Sequence, residues 1–175
     1  MSTDRFAPPK AAVDDVASER LAPVEYAGFW IRVIAALIDT VLLVAISAPL
    51  LVAIYGWAYY DGGKTGFIAG VPDFVISWLL PPFAVITFWV TKQATPGKML
   101  VSVRVVDAKT GATLSKGQAL GRYLGYYVST LPLALGLLWV AFDRRKQGWH
   151  DKLAGTVVVR SRRRGSEAPV TFEGR

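Results

Sequence analysis

The chain contains no cysteine and only one histidine, His150, among its 175 residues. A disulfide framework is therefore excluded, and the redox compartment stays open. A cysteine–histidine zinc site lacks its ligands, so no metal or other cofactor is expected. Acidic residues are also few, 13 against 20 Lys and Arg, for a net charge of +7. Nucleophile elbows, zinc-ligand motifs and glycine-rich phosphate loops do not occur, and an enzyme is the least expected class. Residues 1–25 have no apolar core of the signal-peptide kind. They read as a disordered polar tail, so the first apolar stretch is expected to persist as an uncleaved anchor.

What the chain does have is apolar residues, 53% of the total, with 12% aromatics. They fall into three blocks, about 29–60, 71–90 and 119–142. Such blocking belongs to an integral membrane protein. Two ionisable residues interrupt the first block, Arg32 near its start and Asp39 well inside. A carboxylate at mid-bilayer costs roughly 2.5–3.5 kcal/mol on insertion, so it needs a partner or a function.

The basic residues suggest the topology. If all three blocks cross once, Lys and Arg divide almost evenly between the two sides. If the third block turns back, 17 lie on one side and only Lys64 on the other. The second arrangement satisfies the positive-inside rule. Ser129-Thr130-Leu131-Pro132 followed by Gly136 supplies the break, since proline cannot continue the helical ladder. The expected fold is an all-α membrane protein: a small transmembrane helical bundle with two full spans and a third, broken or re-entrant hydrophobic element. Both termini are expected in the cytoplasm, with Asp61 and Asp73 solvated beside the external loop.

A short cytoplasmic β-ribbon is expected as well. Leu100–Asp107 is rich in β-branched residues, Asp107–Gly111 reads as a hairpin turn into Ala112–Leu114, and 155–160 reads as another strand. Two such strands should pair, which requires them on one side of the membrane.

These residues resemble the RDD family of bacterial integral membrane proteins. The resemblance rests on Tyr26-Ala-Gly-Phe-Trp-Ile-Arg32, Ala36-Leu-Ile-Asp39, Thr95-Pro-Gly-Lys98, Val103-Arg-Val-Val-Asp107 and the run from Phe142 to Thr156. It gives a membrane domain over 26–160, between an N-tail (1–25) and a basic C-tail (161–175). The family is named for one arginine and two aspartates. Arg32 and Asp39 match the first two; Asp151 or Asp143 is the third. The resemblance implies a bacterial inner membrane and leaves function open, with transport the usual expectation.

The candidate charge cluster is Arg32, Asp39, Arg122 and Asp151. Arg32 can snorkel to the interface, and Arg122 is the candidate partner of Asp39. Lys98, Asp143, Trp149 and His150 are expected at the interface: Thr95–Lys98 as a turn reaching the headgroups, Trp149 as an anchor, Asp151 as a cap accepting from backbone or arginine. Gly117, Gly121 and Gly125 form a stripe for close helix approach. Two functions follow. One is an ion- or proton-coupled transporter or exchanger, which implies a homo-oligomer, with Asp39 binding a proton or small cation. The other is a structural or accessory protein, an assembly partner or lipid-binding module, with the charges as a lock. Anionic lipid headgroups are the expected partner of the basic tail, and nucleic acid is not.

Overall fold

The computed structural model describes residues 24–61, 66–161, 170 and 172. Lys64, Arg162–Arg164 and most of both tails lie outside the described residues. The elements run β1 (Val24–Tyr26), α1 (Phe29–Tyr55), α2 (Val71–Lys92), α3 (Pro96–Leu100), β2 (Val103–Asp107), α4 (Lys116–Thr130), α5 (Leu135–Leu138), α6 (Trp149–Leu153) and β3 (Thr156–Ser161).

Two helices are long and apolar enough to cross a membrane, α1 with 27 residues and α2 with 22. Their large apolar side chains point outward: Leu37, Val41, Val44, Ile46, Trp78 and Phe83 are all exposed. In water that would be a fault; in lipid it is the expected solvation. Between Phe74 and Leu79, α2 widens into a π-helical turn. Pro81 and Pro82 follow directly. Proline has no N–H to donate and its ring crowds the carbonyl four residues back, and a wider turn relieves that crowding.

The third hydrophobic block folds as α4 and α5 with a bend of 112° between them. The break falls at 131–134, where Leu133 (φ 53°) and Ala134 (φ 60°) both adopt left-handed backbone. The tip is apolar, with Leu131 and Leu133 more than four-fifths exposed. A three-stranded antiparallel sheet of order β1-β3-β2 gathers the chain. Strand β2 enters the bent element and β3 leaves it, so that element returns to the side it came from. Strand β1 enters α1, and α2 leads through α3 into β2. Among the described residues, 56–61 and 66–70 lie at the far end.

Several sequence expectations shift. The strand expected from Leu100 starts at Val103, because Thr95 and Pro96 open a helical turn over Pro96–Leu100. Residues 112–114 form no strand. Asp107 instead folds the turn onto itself, accepting from the N–H groups of Lys109 (3.0 Å) and Thr110 (2.7 Å), and Gly111 closes it at φ +70°. Gln118 Nε2 also donates to Asp107 at 2.6 Å, tying the turn to α4. Burial raises the Asp107 pKa, but these donors outweigh it and hold the carboxyl near about 2. Strand β1 starts inside the 1–25 tail because Val24 and Tyr26 pair with β3 and pack against Val157 and Val159.

The core sits where the sheet meets the ends of α2 and α4. Val103, Val105 and Val158 point inward onto Trp89, Leu114 and Ala119. Val106, Val157 and Val159 build the opposite face, following the period-two alternation of strands.

A chain without cysteine lets single cysteines report sidedness. Lys109→Cys and Arg145→Cys should react with a membrane-impermeant maleimide from one face only, and Asp61→Cys from the other. Labelling of Arg145→Cys from the Asp61 face would place the bent element across the membrane.

Candidate functional site

The charged residues separate into two groups. The first centres on Asp151, fully buried at the start of α6. Arg32 from α1 donates to Asp151 Oδ2 at 2.6 Å through Nη1, and Arg122 from α4 forms an ion pair with Oδ1. The Gly148 N–H donates to Oδ2 at 3.0 Å. Arg32 also donates to the carbonyls of Ala27 and Lys146, and Arg122 donates to Thr156 Oγ1 at 2.6 Å. One carboxylate therefore ties α1, α4, α6 and, through Thr156, β3. Burial disfavours its charge, but Arg122 and Arg32 more than offset that and hold its carboxyl below the usual range.

His150 lies beside it, stacked on Tyr126 with ring centroids 4.1 Å apart. Its backbone N–H donates to Ser129 Oγ at 3.0 Å. Gly125 lets α6 approach α4, since a Cβ there would lie 2.9 Å from His150 Cα. Gly121 meets nothing and Gly117 only its own N-cap, so one glycine of the stripe makes the contact.

The second group centres on Asp39. Thr95 Oγ1 donates to Oδ2 at 2.5 Å and the Gly97 N–H donates to Oδ1 at 2.6 Å. Lys98 Nζ lies 3.8 Å from Oδ2 and donates to Thr95 Oγ1 at 3.2 Å. Gly97 sits so close to α1 that a Cβ would fall 2.2 Å from the Ala35 carbonyl oxygen. This group borders a cavity of about 400 Å³ between α1, α2 and α4. Leu43, Ile46, Phe88 and Tyr123 line its apolar part, and Asp39, Thr95 and Lys98 its polar end. Trp89 also lines it, and its buried indole N–H has no acceptor among the described residues.

The charged residues singled out from the sequence have partners other than those expected. Asp39 does not pair with Arg122, which is committed to Asp151. Arg32 does not snorkel; its guanidinium turns inward to Asp151. Lys98 is no headgroup lysine, because it is buried 6.0 Å from the Trp89 ring centroid. His150 is likewise interior rather than interfacial, 3% exposed. Trp149 is half-buried against Trp139, and Asp143 pairs with Lys152 at 2.5 Å. Asp73 is fully buried, not solvated: Tyr59 (2.7 Å), Ala69 N–H (2.7 Å) and Ser77 (2.8 Å) all donate to it. Asp61 is exposed as expected. Thr95, Gly97, Trp89 and Thr156 were missed as site residues. The usable signal was Thr-Pro-Gly-Lys itself, a helix start whose glycine needs a close neighbour.

The RDD family model matches residues 26–155. The chain belongs to the RDD family. Among its relatives, an uncharacterized protein of Rickettsia prowazekii is 40% identical over 76 residues, covering 43% of this chain and 42% of that one. Uncharacterized protein YxaI of Bacillus subtilis is 28% identical over 76% of this chain and 96% of its own. Uncharacterized membrane protein YteJ of the same organism is 30% identical over 77% of this chain and 80% of its own. No solved structure matches.

Asp151→Asn should cost about 3–5 kcal/mol of stability in detergent, because it strands two buried arginines. Arg122→Met should cost a similar amount, and the double variant no more than the worse single one. Asp39→Asn and Arg122→Met should be additive, since these residues do not touch. Chemical unfolding of the three single variants, the two double variants and the wild type decides both points.

Burial, aided by Arg122, Arg32 and Lys98 and only partly opposed by Asp151, lowers the His150 pKa to about 3 from 6.5. The unfolded chain then binds one more proton than the folded one between those values. Stability should be level above pH 6.5 and fall by about 1.4 kcal/mol per pH unit below about pH 6. His150→Gln should flatten that slope in thermal melts from pH 7 to 4.5. An unchanged slope would assign the acid sensitivity to another group.

Proposed function

We propose that this RDD-family protein is a proton-coupled transporter or exchanger of a bacterial cytoplasmic membrane, not an enzyme, with Asp39 as its working carboxylate. One observation carries the reading: Asp39 and Lys98 border a cavity between the spans, whereas Asp151 is fully buried. Ionisable groups facing an interior cavity typically mark a substrate or proton path. The Arg32–Asp151–Arg122 group is sealed and serves as frame. A proton arriving on Asp39 cancels the charge that holds Lys98, and the freed ammonium becomes available to a second solute. The positive-inside rule places the sheet and both termini in the cytoplasm, where the basic residues of that face meet anionic headgroups. Two spans and a returning element enclose little volume, so the working form is a homo-oligomer.

A structural or accessory role is the second reading. It draws on the saturation of Asp39 by Thr95 and Gly97, which suits a permanent clasp.

Proton flux into liposomes, followed with an internal pH dye, separates the two. Asp39→Asn should abolish flux at little cost in melting temperature. Loss of folding without any wild-type flux would favour the clasp.

A further inference from the structure

The cavity has a second property: its chemistry specifies a class of solute. Its wall is overwhelmingly hydrocarbon and aromatic, from Leu43, Ile46, Phe88 and Tyr123. A small hydrated ion gains nothing from such a wall, whereas an alkyl chain does. At about 400 Å³ it lies near the lower end of the ~300–1,000 Å³ range of small-molecule sites, room for one chain. Its polar end carries one cation, Lys98 Nζ, beside Thr95 Oγ1, whose proton is given to Asp39; the Trp89 indole N–H is buried in the wall. At the cavity the one cation is Lys98, 3.8 Å from Asp39. Arg122 stands 5.1 Å from the Trp89 ring centroid, directly behind the cavity wall.

From these features we infer that the cavity takes a single-chain carboxylate amphiphile, a fatty acid or its chemical like. The chain lies between α1 and α2, and the carboxylate displaces Asp39 from Lys98. This rests on the proton-coupled reading and completes its stoichiometry. A proton on Asp39 and a carboxylate on Lys98 enter together, and the occupied site carries no more charge than the empty one. No bond is made or broken.

The probe is a diazirine-bearing palmitic acid, with the matching diazirine palmityl alcohol as the neutral control, in phosphatidylcholine vesicles holding the full-length protein. After photolysis, cross-links are mapped by peptide mass spectrometry. The acid should label Leu43 and Phe88 above the lipid-facing Leu37 and Val41, and the alcohol should not. Lys98→Gln should reduce cavity labelling by the acid about tenfold, the effect of losing about 1.4 kcal/mol of binding, and Lys98→Arg should restore it. Ala84→Phe, which fills the cavity and keeps Lys98, should abolish labelling even if Lys98→Gln folds poorly. Equal labelling by acid and alcohol, or indifference to Ala84→Phe, overturns the inference. Cavity labelling without proton flux upholds it and rejects transport. Proton flux with no preferential labelling overturns it and leaves transport standing.

Discussion

Everything else in this molecule hangs on the burial of Asp151 between two arginines. Taking a carboxylate out of water is tolerable only where cations and donors replace its hydration, and here four elements converge to provide them. Arginine suits the task because its planar fork can serve several acceptors at once. Arg32 uses that capacity fully, serving Asp151, the Ala27 carbonyl and the Lys146 carbonyl. The first span is thereby fixed to the loop before α6, and no apolar contact could fix it with the same directionality. Membrane helices gain little hydrophobic drive to pack against each other, so polar pins take a larger share of the specification.

The spans are also tied at the opposite end. Asp73 gathers Tyr59, Ser77 and the Ala69 N–H, and its own N–H donates to Tyr55 OH at 3.3 Å. Contacts between α1 and α2 cluster near that knot, while toward the sheet α1 touches α3 instead. Two helices joined at both ends and separated between them leave a gap, and the cavity is that gap.

Much of this was legible in the sequence because it depends on local signals. The spans follow from uninterrupted apolar runs. The return of the third block follows from Pro132 and from the lopsided distribution of basic residues. The pairing of β2 with β3 follows from two valine-rich runs that need a partner. The side-chain partners were not legible, for a physical reason. Asp39 and Thr95 are 56 positions apart, and Arg32 and Asp151 are 119 apart. Nothing in periodicity or composition carries contacts over such separations. Asp39–Arg122 was reasonable by charge alone, but Asp151 attracts Arg122 more strongly and the two meet inside a sealed core. Asp73 misled for a related reason. It stands next to a loop, where exposure is the usual outcome, yet the loop folds back and supplies its own donors.

The two carboxylates differ in what holds them, and the difference separates a frame built on charge from a seat built on shape. Asp151 contacts both arginines and is fully buried, so loss of its charge would release four elements. Asp39 is held mainly by neutral donors, Thr95 and Gly97, with Lys98 a further 3.8 Å contact. The seat of α3 against α1 rests on shape, on a glycine with no room for a Cβ against the Ala35 carbonyl. Shape does not titrate. The position of the Lys98 ammonium is therefore set separately from the position of the backbone that carries it, and on the proposed reading the first would change without the second. A charge exchange that leaves the backbone still needs a rigid support around it, and the buried Arg32–Asp151–Arg122 group supplies that support from the other side of Trp89.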